Sequence, residues 1–302
     1  MAPNVLALSV VITLLGAAAW PNNCRSEGPT FIRLTHDGFF KQRPAWSPDG
    51  KQLVFARHRG ATIYLYLLTP ENGREHRLTD RTDPEYDAVW SPDGKELAFV
   101  FDKTSPGQGD LEVYRVGADG KAMKPVATSD GKLSHEEWPA WSPDGQSLVF
   151  SSTRDGNQEL YRIQTDPQGF ERLTNDPAID AHPDWSPDGQ RIAFSTSRWG
   201  DMEIAVMRRD GTGVTRLTES RGLDDYPVWS PDGNRIALTS NRDGNFEIYS
   251  MDSQGKRLRN LTHNPGIDMF PAWTPDGRLT WISNRSGAFE VYVYNEAGSE
   301  KR

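Results

Sequence analysis

Acidic residues recur at one position of a repeated motif in this 302-residue chain. The motif contains a tryptophan, and in five of six copies the residue five positions before it is an acid. These acids are Glu85, Glu136, Asp180, Asp224 and Asp268. Carboxylates are the ligands that Ca²⁺ prefers, and clustered carboxylates attract basic peptides. If the copies converge in the fold, these five residues predict a site for a divalent cation, with calcium favoured by the oxygen-only ligands, or for a cationic partner.

Further polar residues near the same position extend this predicted partner-binding site. They are Asp87, Glu137, His182 and Asp225. The first copy has Lys41 in place of the acid, which could neutralise one neighbouring carboxylate. A second interpretation remains open for the same acids: they could cap the loops by accepting backbone N–H groups, as aspartate often does in turns.

Catalytic signatures are scarce in the sequence. It contains no Gly-x-Ser-x-Gly elbow, no His-Glu-x-x-His motif and no phosphate-binding glycine loop. We therefore expect a binding protein that is not an enzyme, with no certain cofactor. The alternative is a propeller lyase or hydrolase that acts on carbohydrate at the same site, with His182 and neighbouring carboxylates as acid–base groups. His135, Glu136 and Glu137 in the one lengthened repeat are the irregularity that most favours this alternative.

The element that must position these residues is a repeated pentapeptide, Trp-Ser-Pro-Asp-Gly. It begins at Trp46, Trp90, Trp141, Trp185 and Trp229, and a variant with threonine begins at Trp273. Ser, Pro and Gly at the first, second and fourth positions favour a type I turn. An apolar run such as Ile192–Phe194 follows each turn, which predicts a strand. We expect the tryptophans to pack between repeats rather than to bind a ligand.

The repeat length predicts the fold class. The tryptophans are 44, 51, 44, 44 and 44 residues apart, and each repeat has four short candidate strands. Six such units predict an all-β, six-bladed β-propeller with almost no helix. An Arg-Leu-Thr segment ends most repeats, but it is missing after Trp273 and present at residues 33–35. We therefore predict that the N-terminal strand completes the C-terminal blade and closes the ring, which needs no partner for stability and favours a monomer.

A second regular feature lies between the second and third candidate strands. In all four copies, a glutamate follows five residues after the arginine of the Arg-x-Gly turn, and this spacing predicts a structural cross-strand ion pair. The turn arginines and their glutamates are Arg154 and Glu159, Arg198 and Glu203, Arg242 and Glu247, and Arg285 and Glu290.

The N-terminal sequence indicates export. Residues 5–19 are apolar and uncharged, which is typical of a signal peptide, so we assign residues 1–19 to a signal, 20–30 to a flexible lead-in and 31–302 to the propeller. An uncleaved anchor, or lipidation at Cys24, is an alternative. A net charge of −8 argues against nucleic acid as a partner. We expect a periplasmic or secreted protein.

The repeats resemble those of a known family. The pattern Asp180-x-x-Pro183-x-Trp185-Ser-Pro-Asp-Gly, followed by Ser-x-Arg-Asp-Gly-Asn-x-Glu-Ile-Tyr and Arg-Leu-Thr, is similar to the TolB-type six-bladed propeller repeat, also called WD40-like or PD40. The resemblance covers residues 31–302. It implies a periplasmic role like that of TolB in the Tol–Pal system, with a protein partner at the propeller mouth and calcium in the channel. The sequence ahead of Phe31 is too short for the α/β domain that precedes the TolB propeller. We therefore expect a secreted propeller binding module without that domain.

Overall fold

A computed structural model describes residues 30–102, 111–127, 134–165 and 170–295 of the chain. All regular structure in these ranges is β-strand, arranged as six four-stranded antiparallel sheets. The predicted six-bladed propeller is therefore confirmed. The assigned signal, the lead-in up to residue 29 and residues 104–109 of the lengthened repeat lie outside the described residues. Within the described ranges, the structure contains no helix that is long and apolar enough to cross a membrane.

Each blade runs outward from an inner strand beside the central channel. The first blade contains β2 (Phe40–Trp46), β3 (Leu53–Arg59), β4 (Thr62–Thr69) and β5 (Arg74–Arg77), and the second contains β6 (Glu85–Trp90), β7 (Glu96–Asp102), β8 (Leu111–Gly117) and β9 (Lys124–Ala127). The third contains β10 (Glu136–Trp141), β11 (Ser147–Ser152), β12 (Glu159–Gln164) and β13 (Phe170–Arg172), and the fourth contains β14 (Asp180–Trp185), β15 (Arg191–Trp199), β16 (Asp201–Arg208) and β17 (Thr215–Arg216). The fifth contains β18 (Asp224–Trp229), β19 (Arg235–Ser240), β20 (Glu247–Asp252) and β21 (Arg259–Asn260), and the sixth contains β22 (Asp268–Trp273), β23 (Leu279–Ser283), β24 (Glu290–Asn295) and β1 (Thr30–Arg33). The six inner strands contact one another in a closed ring.

The repeated pentapeptide forms the turn that its composition predicts. In the first copy, Gly50 N donates to Ser47 O at 2.8 Å, and Gly50 has a φ of 70°. The Ser47 hydroxyl accepts from Gln52 N at 2.9 Å and donates to Asp49 at 2.7 Å. We call the end of the propeller with these six turns the tryptophan face. The opposite end, where the inner strands begin and the Arg-x-Gly turns lie, is the hairpin face.

Apolar side chains between adjacent blades form the core. Trp185 packs in one cluster with Ala140 and Leu173 of the third blade and with Phe194 of its own blade. Equivalent clusters recur around the ring. The predicted packing role of the tryptophans is confirmed, and burial of these surfaces holds neighbouring blades together.

The N-terminal strand closes the ring as predicted. β1 pairs with β24 in antiparallel register, with Phe31 opposite Tyr294. Arg33 Nη2 lies 2.8 Å from Glu290 Oε1, and Thr35 Oγ1 donates to Glu290. In the blade formed by β14–β17, the fourth strand attaches to the third through the same residue types, because Arg216 and Thr218 donate to Glu203. The sixth blade is thus completed by contacts that the other blades make locally.

Candidate functional site

Every inner strand carries a β-bulge that directs a side chain toward the channel. In β14, Asp180 and Ala181 pair with Thr196 and Ser195, but the next pair is Asp184 with Ala193. The register therefore shifts in the middle of the strand, and a bulge of this kind re-aims a side chain. In all six strands, the residue three positions before the pentapeptide tryptophan has a positive φ of 45–57°. We call these six residues the channel ring: Arg43, Asp87, Trp138, His182, Tyr226 and Phe270.

The channel ring fills the centre of the propeller. The ring centroids of Trp138 and His182 are 4.3 Å apart, those of His182 and Tyr226 are 4.3 Å apart, and those of Tyr226 and Phe270 are 4.7 Å apart. The Arg43 guanidinium lies 5.0 Å from the Trp138 ring centroid. These contacts are within the range of aromatic and cation–π attraction. The two ends of the channel are therefore separated by packed side chains.

The Arg43 guanidinium is fixed by the backbone of other blades. It donates to Asp87 O at 3.1 Å and to Pro139 O at 2.8 Å. Burial lowers the pKa of Arg43, while Asp87 and Asp184 oppose that shift. Arg43 thus brings a positive charge to the middle of a channel whose other charged groups are mainly acids.

Four of the predicted partner-binding residues come together on the hairpin side of the channel ring: Asp87, Glu137, His182 and Asp225. His182 Nδ1 is hydrogen-bonded to Asp225 Oδ1. Asp225 also accepts from Tyr226 N at 2.8 Å. Burial raises the pKa of Asp87 to about 6, and Glu137 adds to this shift. Burial likewise raises the pKa of Glu137. This part of the channel therefore holds carboxylates whose ionised forms are incompletely compensated.

The five acids predicted as cation ligands occupy a different environment. All five are fully buried within or between blades. Their partners are Thr79 for Glu85, Arg154 for Glu136, Arg198 for Asp180, Arg242 for Asp224 and Arg285 for Asp268. Direct contact of these five residues with a partner stays a prediction, and their geometry is that of structural ion pairs and hydrogen bonds.

These carboxylates do not fit a shared cation. Across the described ranges, no group of three or more His, Cys, Asp or Glu side chains is arranged to hold a metal ion. Hard cations require several oxygens directed at one point. The five acids instead direct oxygens at separate arginine and hydroxyl groups. Calcium binding therefore remains a prediction. In this structure, the five acids do not form a common site for the ion.

The predicted ion pairs across the Arg-x-Gly turns are wrong. Arg198 Nη2 bonds Asp180 on the inner strand, 18 residues away, rather than Glu203. Glu203 accepts instead from Arg216 at 2.9 Å, from Thr218 and from Ser220 N at 2.8 Å. The register explains the difference, because Thr196, two residues before Arg198, lies opposite Asp180. The turn arginines therefore neutralise the inner-strand acids, and the third-strand glutamates anchor the fourth strand.

Lys41 also differs from its predicted role. Its ammonium lies 2.8 Å from Glu290 Oε2 and contacts Asp37. Both acids lie outside the set of five, so Lys41 neutralises none of those carboxylates. It instead joins the first blade to the sixth, where the ring closes.

Sequence reasoning missed most of the channel ring. Arg43, Trp138, Tyr226 and Phe270 were not identified, because the six residues at this position share no chemical type. One signal was available. The flanking positions repeat an acid, a proline and a tryptophan, whereas this position differs in every copy. Such variation is expected where the surroundings are a channel rather than a repeated blade contact.

The tryptophan end of the channel is a cavity of about 270 Å³ below the channel ring. Its walls include Trp46, Trp90, Trp229 and Trp273, with Asp184 as the carboxylate among them. The channel therefore has two unlike ends, one with an acid–histidine cluster and one with an indole-lined cavity. Together, the closed ring of six blades and the filled, two-ended channel define a six-bladed β-propeller with separate sites at its two channel ends.

Comparison with known proteins identifies the family of this propeller. The profile of the TolB beta propeller domain (PD40) matches residues 35–138, 132–223 and 217–302. The chain belongs to this TolB beta-propeller family. It is 31% identical to a TolB homolog from Chlorobium luteolum over 143 residues, which are 46% of this chain and 30% of that protein. The chain thus spans about a third of the length of such relatives.

Solved structures agree with this family. A structure assigned to TolB from Agrobacterium tumefaciens superposes with a TM-score of 0.72 at 25% identity, covering 88% of this chain and 97% of that one. An oligogalacturonate lyase from Vibrio parahaemolyticus superposes with a TM-score of 0.61 at 16% identity, covering 91% of this chain and 99% of that one. At that identity, the second likeness shows the fold alone.

Proposed function

We propose that this chain is an extracytoplasmic propeller module that binds a basic segment of a protein or peptide partner on its hairpin face, in a TolB-like envelope role. The observation that carries the proposal is a continuous surface on that face, in which a partly exposed carboxylate above the channel ring adjoins two exposed apolar side chains. The apolar stretch at residues 5–19 and the family support an envelope location.

The surface can be traced residue by residue. The Glu137 side chain is 24% exposed, and Gln158 Nε2 lies 3.5 Å from its Oε2. Gln158 O accepts from Asp180 N at 2.9 Å, next to Ile179 in the chain. Ile179 and Ser197 exchange two hydrogen bonds of 2.9 and 3.0 Å, and Trp199 follows two residues after Ser197. The third and fourth blades thus present one contiguous patch.

The exposed apolar part of the patch is a departure from the repeat. Trp199 is 40% exposed and Ile179 is 43% exposed. The other Arg-x-Gly turns carry Asp155, Asp243 or Ser286 where this turn carries Trp199. Exposed tryptophans are enriched among the residues that dominate the binding energy of protein interfaces. We therefore assign Trp199 the role of an anchor for the partner.

The channel acids select a basic partner. Asp87, Glu137 and Asp225 face a mixed set of groups in which His135, His182 and Arg43 are the basic members. Raised carboxyl pKa values mean that the ionised forms are destabilised by burial and mutual repulsion. A lysine or arginine of the partner above the channel ring would stabilise those ionised forms. Complementary charge of this kind favours specificity and association rate.

The test is capture of partners from envelope extract by the propeller and by three variants. We expect Trp199→Ala and Glu137→Gln each to reduce capture at least severalfold, because Trp199 is exposed, Glu137 is partly exposed and neither has a strong bond within a blade. Glu71→Gln is the matched control, since Glu71 is an exposed acid in the turn between β4 and β5 at the other face. Capture runs with Ca²⁺ and with chelator, which tests the calcium prediction separately.

Equal capture by the parent, Trp199→Ala and Glu137→Gln would place the interface elsewhere and overturn the proposal. Loss with Glu71→Gln as well would indicate a nonspecific charge effect. Circular dichroism of each variant checks that the fold is retained.

A second candidate is an enzyme acting on carbohydrate at the same end of the channel. The observation that favours it is the hydrogen bond between His182 Nδ1 and Asp225, which leaves the other imidazole nitrogen to act as an acid or base. A panel of polysaccharides and glycosides tests it. Under the binding proposal, no substrate turns over. Turnover that is lost in His182→Gln would establish the enzyme instead.

A further inference from the structure

The cavity at the tryptophan end of the channel has largely apolar walls, and Arg43 and His182 of the channel ring are the basic residues among them. Indole rings and prolines dominate the lining, including Trp46, Trp90, Trp229, Trp273, Pro183, Pro227 and Pro271. The volume of about 270 Å³ is sufficient for a small organic group and too small for a folded segment. The channel ring separates this cavity from the partner surface on the hairpin face.

One carboxylate interrupts this apolar lining. Asp184 directly precedes the pentapeptide tryptophan of its inner strand, and the other five strands have alanine or valine there: Ala45, Val89, Ala140, Val228 and Ala272. Asp184 Oδ2 accepts from Trp229 N at 2.7 Å, which fixes the carboxyl at the cavity wall. The repeat has no structural need for an acid at this position, because five blades are built without one. The acid is therefore specific to the cavity.

The charge of Asp184 is only partly compensated. In the described part of the chain, no ion pair joins it to a basic side chain. Arg43 acts on Asp184 at longer range, and its guanidinium donates to Asp87 O and Pro139 O instead. An anionic group within an aromatic enclosure attracts a cation through the carboxylate and the faces of the rings together. Indoles in this protein already accept guanidinium groups, since Arg191 lies 4.5 Å from the Trp229 ring centroid.

We infer that this cavity is a second binding site, which accepts an ammonium or guanidinium group on a short apolar stem, with Asp184 as its counter-ion. The tryptophans and prolines contact the stem and the carboxylate fixes the cationic head. The inference does not rest on the proposed partner surface, because Asp184 lies on the other side of the channel ring from Glu137 and Trp199, although channel-ring residues such as His182 border both sites.

The site has a predicted pH dependence. Burial raises the pKa of Asp184 to about 7, opposed by the N–H groups of Trp229 and Trp185 and by the charge of Arg43. These are the polar groups that face the carboxyl from β14, β18 and β2. A cation is attracted by the ionised form, so affinity should rise as pH increases through about 7 and fall below it.

The experiment is a titration of the full propeller with n-butylammonium, followed by tryptophan fluorescence and by ligand-observed NMR. We expect saturable binding that is weakened about tenfold or more in Asp184→Asn, which keeps the side-chain shape and removes the charge. The neutral probe n-pentanol should bind at least tenfold more weakly than butylammonium. Glu71→Gln, an exposed acid outside the cavity lining, is the matched control and should bind butylammonium as the parent does.

Two further arms keep the inference falsifiable. If Asp184→Asn does not fold, Ala272→Leu fills the cavity wall with Asp184 intact and should also abolish binding. A Gly-Lys-Gly peptide tests whether the cation can belong to a peptide side chain rather than a free amine. Equal affinity of parent and Asp184→Asn, or of butylammonium and pentanol, would overturn the inference. Partner capture that persists in Asp184→Asn would leave the proposed function intact, so the two can fail separately.

Discussion

At the scale of single residues, neighbouring positions of an inner strand serve different purposes. Asp180 is buried against Arg198, whereas His182, two residues later, stands in the channel at a positive φ. The first position is governed by the cost of burying a charge, which requires a cationic partner. At the second position, the side chains that share the channel determine which residue type fits. Acids that look equivalent in the sequence are therefore divided into structural and channel-facing sets.

This division predicts that neutralising a structural acid costs stability. Asp224→Asn would leave the Arg242 guanidinium without the carboxylate that it contacts at 2.5 Å. We expect the free energy of unfolding to fall by about 1–3 kcal/mol, measured by urea denaturation. Glu71→Gln, an exposed acid, is the control and should change stability little. An Asp224→Asn protein as stable as the parent would show that the pair contributes nothing to the fold.

The channel acid Asp87 predicts that the stability of the fold depends on pH. Because the pKa of Asp87 is raised to about 6, the folded state keeps this proton to a higher pH than the unfolded state does. Stability from this group is therefore lost as pH rises from about 4 to about 6. In Asp87→Asn, the change in unfolding free energy between about pH 4.5 and 7.5 should shift by about 2 kcal/mol in favour of the higher pH. Parallel pH profiles for parent and variant would contradict this.

At the scale of elements, the turn between the third and fourth strands docks the second, fourth and fifth blades onto the preceding blade. Gly120 lies in this turn of the second blade with a φ of 78°. A Cβ added at Gly120 would come within 1.9 Å of Leu78 O in the preceding blade. Equivalent glycines, Gly211 and Gly255, approach Leu173 O and Leu217 O in the same way. Close backbone contact between blades therefore requires glycine here.

Replacing Gly120 should be much more harmful than replacing a glycine in open space. Gly120→Ala must displace backbone as well as adopt a strained φ, and we expect a loss of about 2–4 kcal/mol. Gly60→Ala is the matched control, because Gly60 also has a positive φ of 64° but has nothing within 4 Å of an added Cβ. It should cost about 1 kcal/mol. Similar thermal unfolding midpoints for the two variants would refute a role in blade docking.

Local elements were predictable from the sequence because their causes are local. The Ser47-Pro-Asp-Gly50 turn follows from the conformational preferences of four residues, and the strands follow from the apolar runs beside it. The inner-strand bulge was not predictable, since no residue type at positions such as Trp138 or Phe270 requires it. The partner of Arg198 was also missed, because strand register decides it and sequence distance does not.

At the scale of the whole molecule, stability depends on one strand that is distant in sequence. Leu34 N donates to Val291 O at 2.8 Å, and alternate residues of a strand direct their N–H groups to the same side. The Ile32 N–H therefore faces β24. Ile32 itself is 48% exposed, so its side chain contributes little packing. This position allows the backbone contribution to closure to be tested separately.

Ile32→Pro should weaken ring closure, because proline removes a ladder hydrogen bond and cannot donate another. We expect the thermal midpoint to drop by several degrees, with faster proteolysis at the sixth blade. Ile32→Thr keeps the N–H and is the control, which should unfold close to the parent. A proline variant as stable as Ile32→Thr would mean that β1 is dispensable to the ring.

Closure was also predictable, because the Arg33-Leu-Thr35 segment supplies what the last repeat lacks. The contents of the channel were not, since they depend on which side chains meet across six blades. Glu137 and His182 were predicted because they lie close in sequence to the repeated acids Glu136 and Asp180. Asp184 was overlooked, although it alone breaks an alanine and valine pattern.

Closure by β1 also sets how the molecule can be mounted. Thr30 pairs with Asn295, and Tyr294 lies opposite Leu279, the first residue after the turn on the tryptophan face. Both ends of the described chain therefore leave from that face. A sensor surface coupled through either end would lie on the tryptophan face, at the outer edge of the sixth blade, and would leave the hairpin face toward solution. Immobilised measurements would thus report partner capture freely, whereas binding of small cations is better followed with the protein untethered.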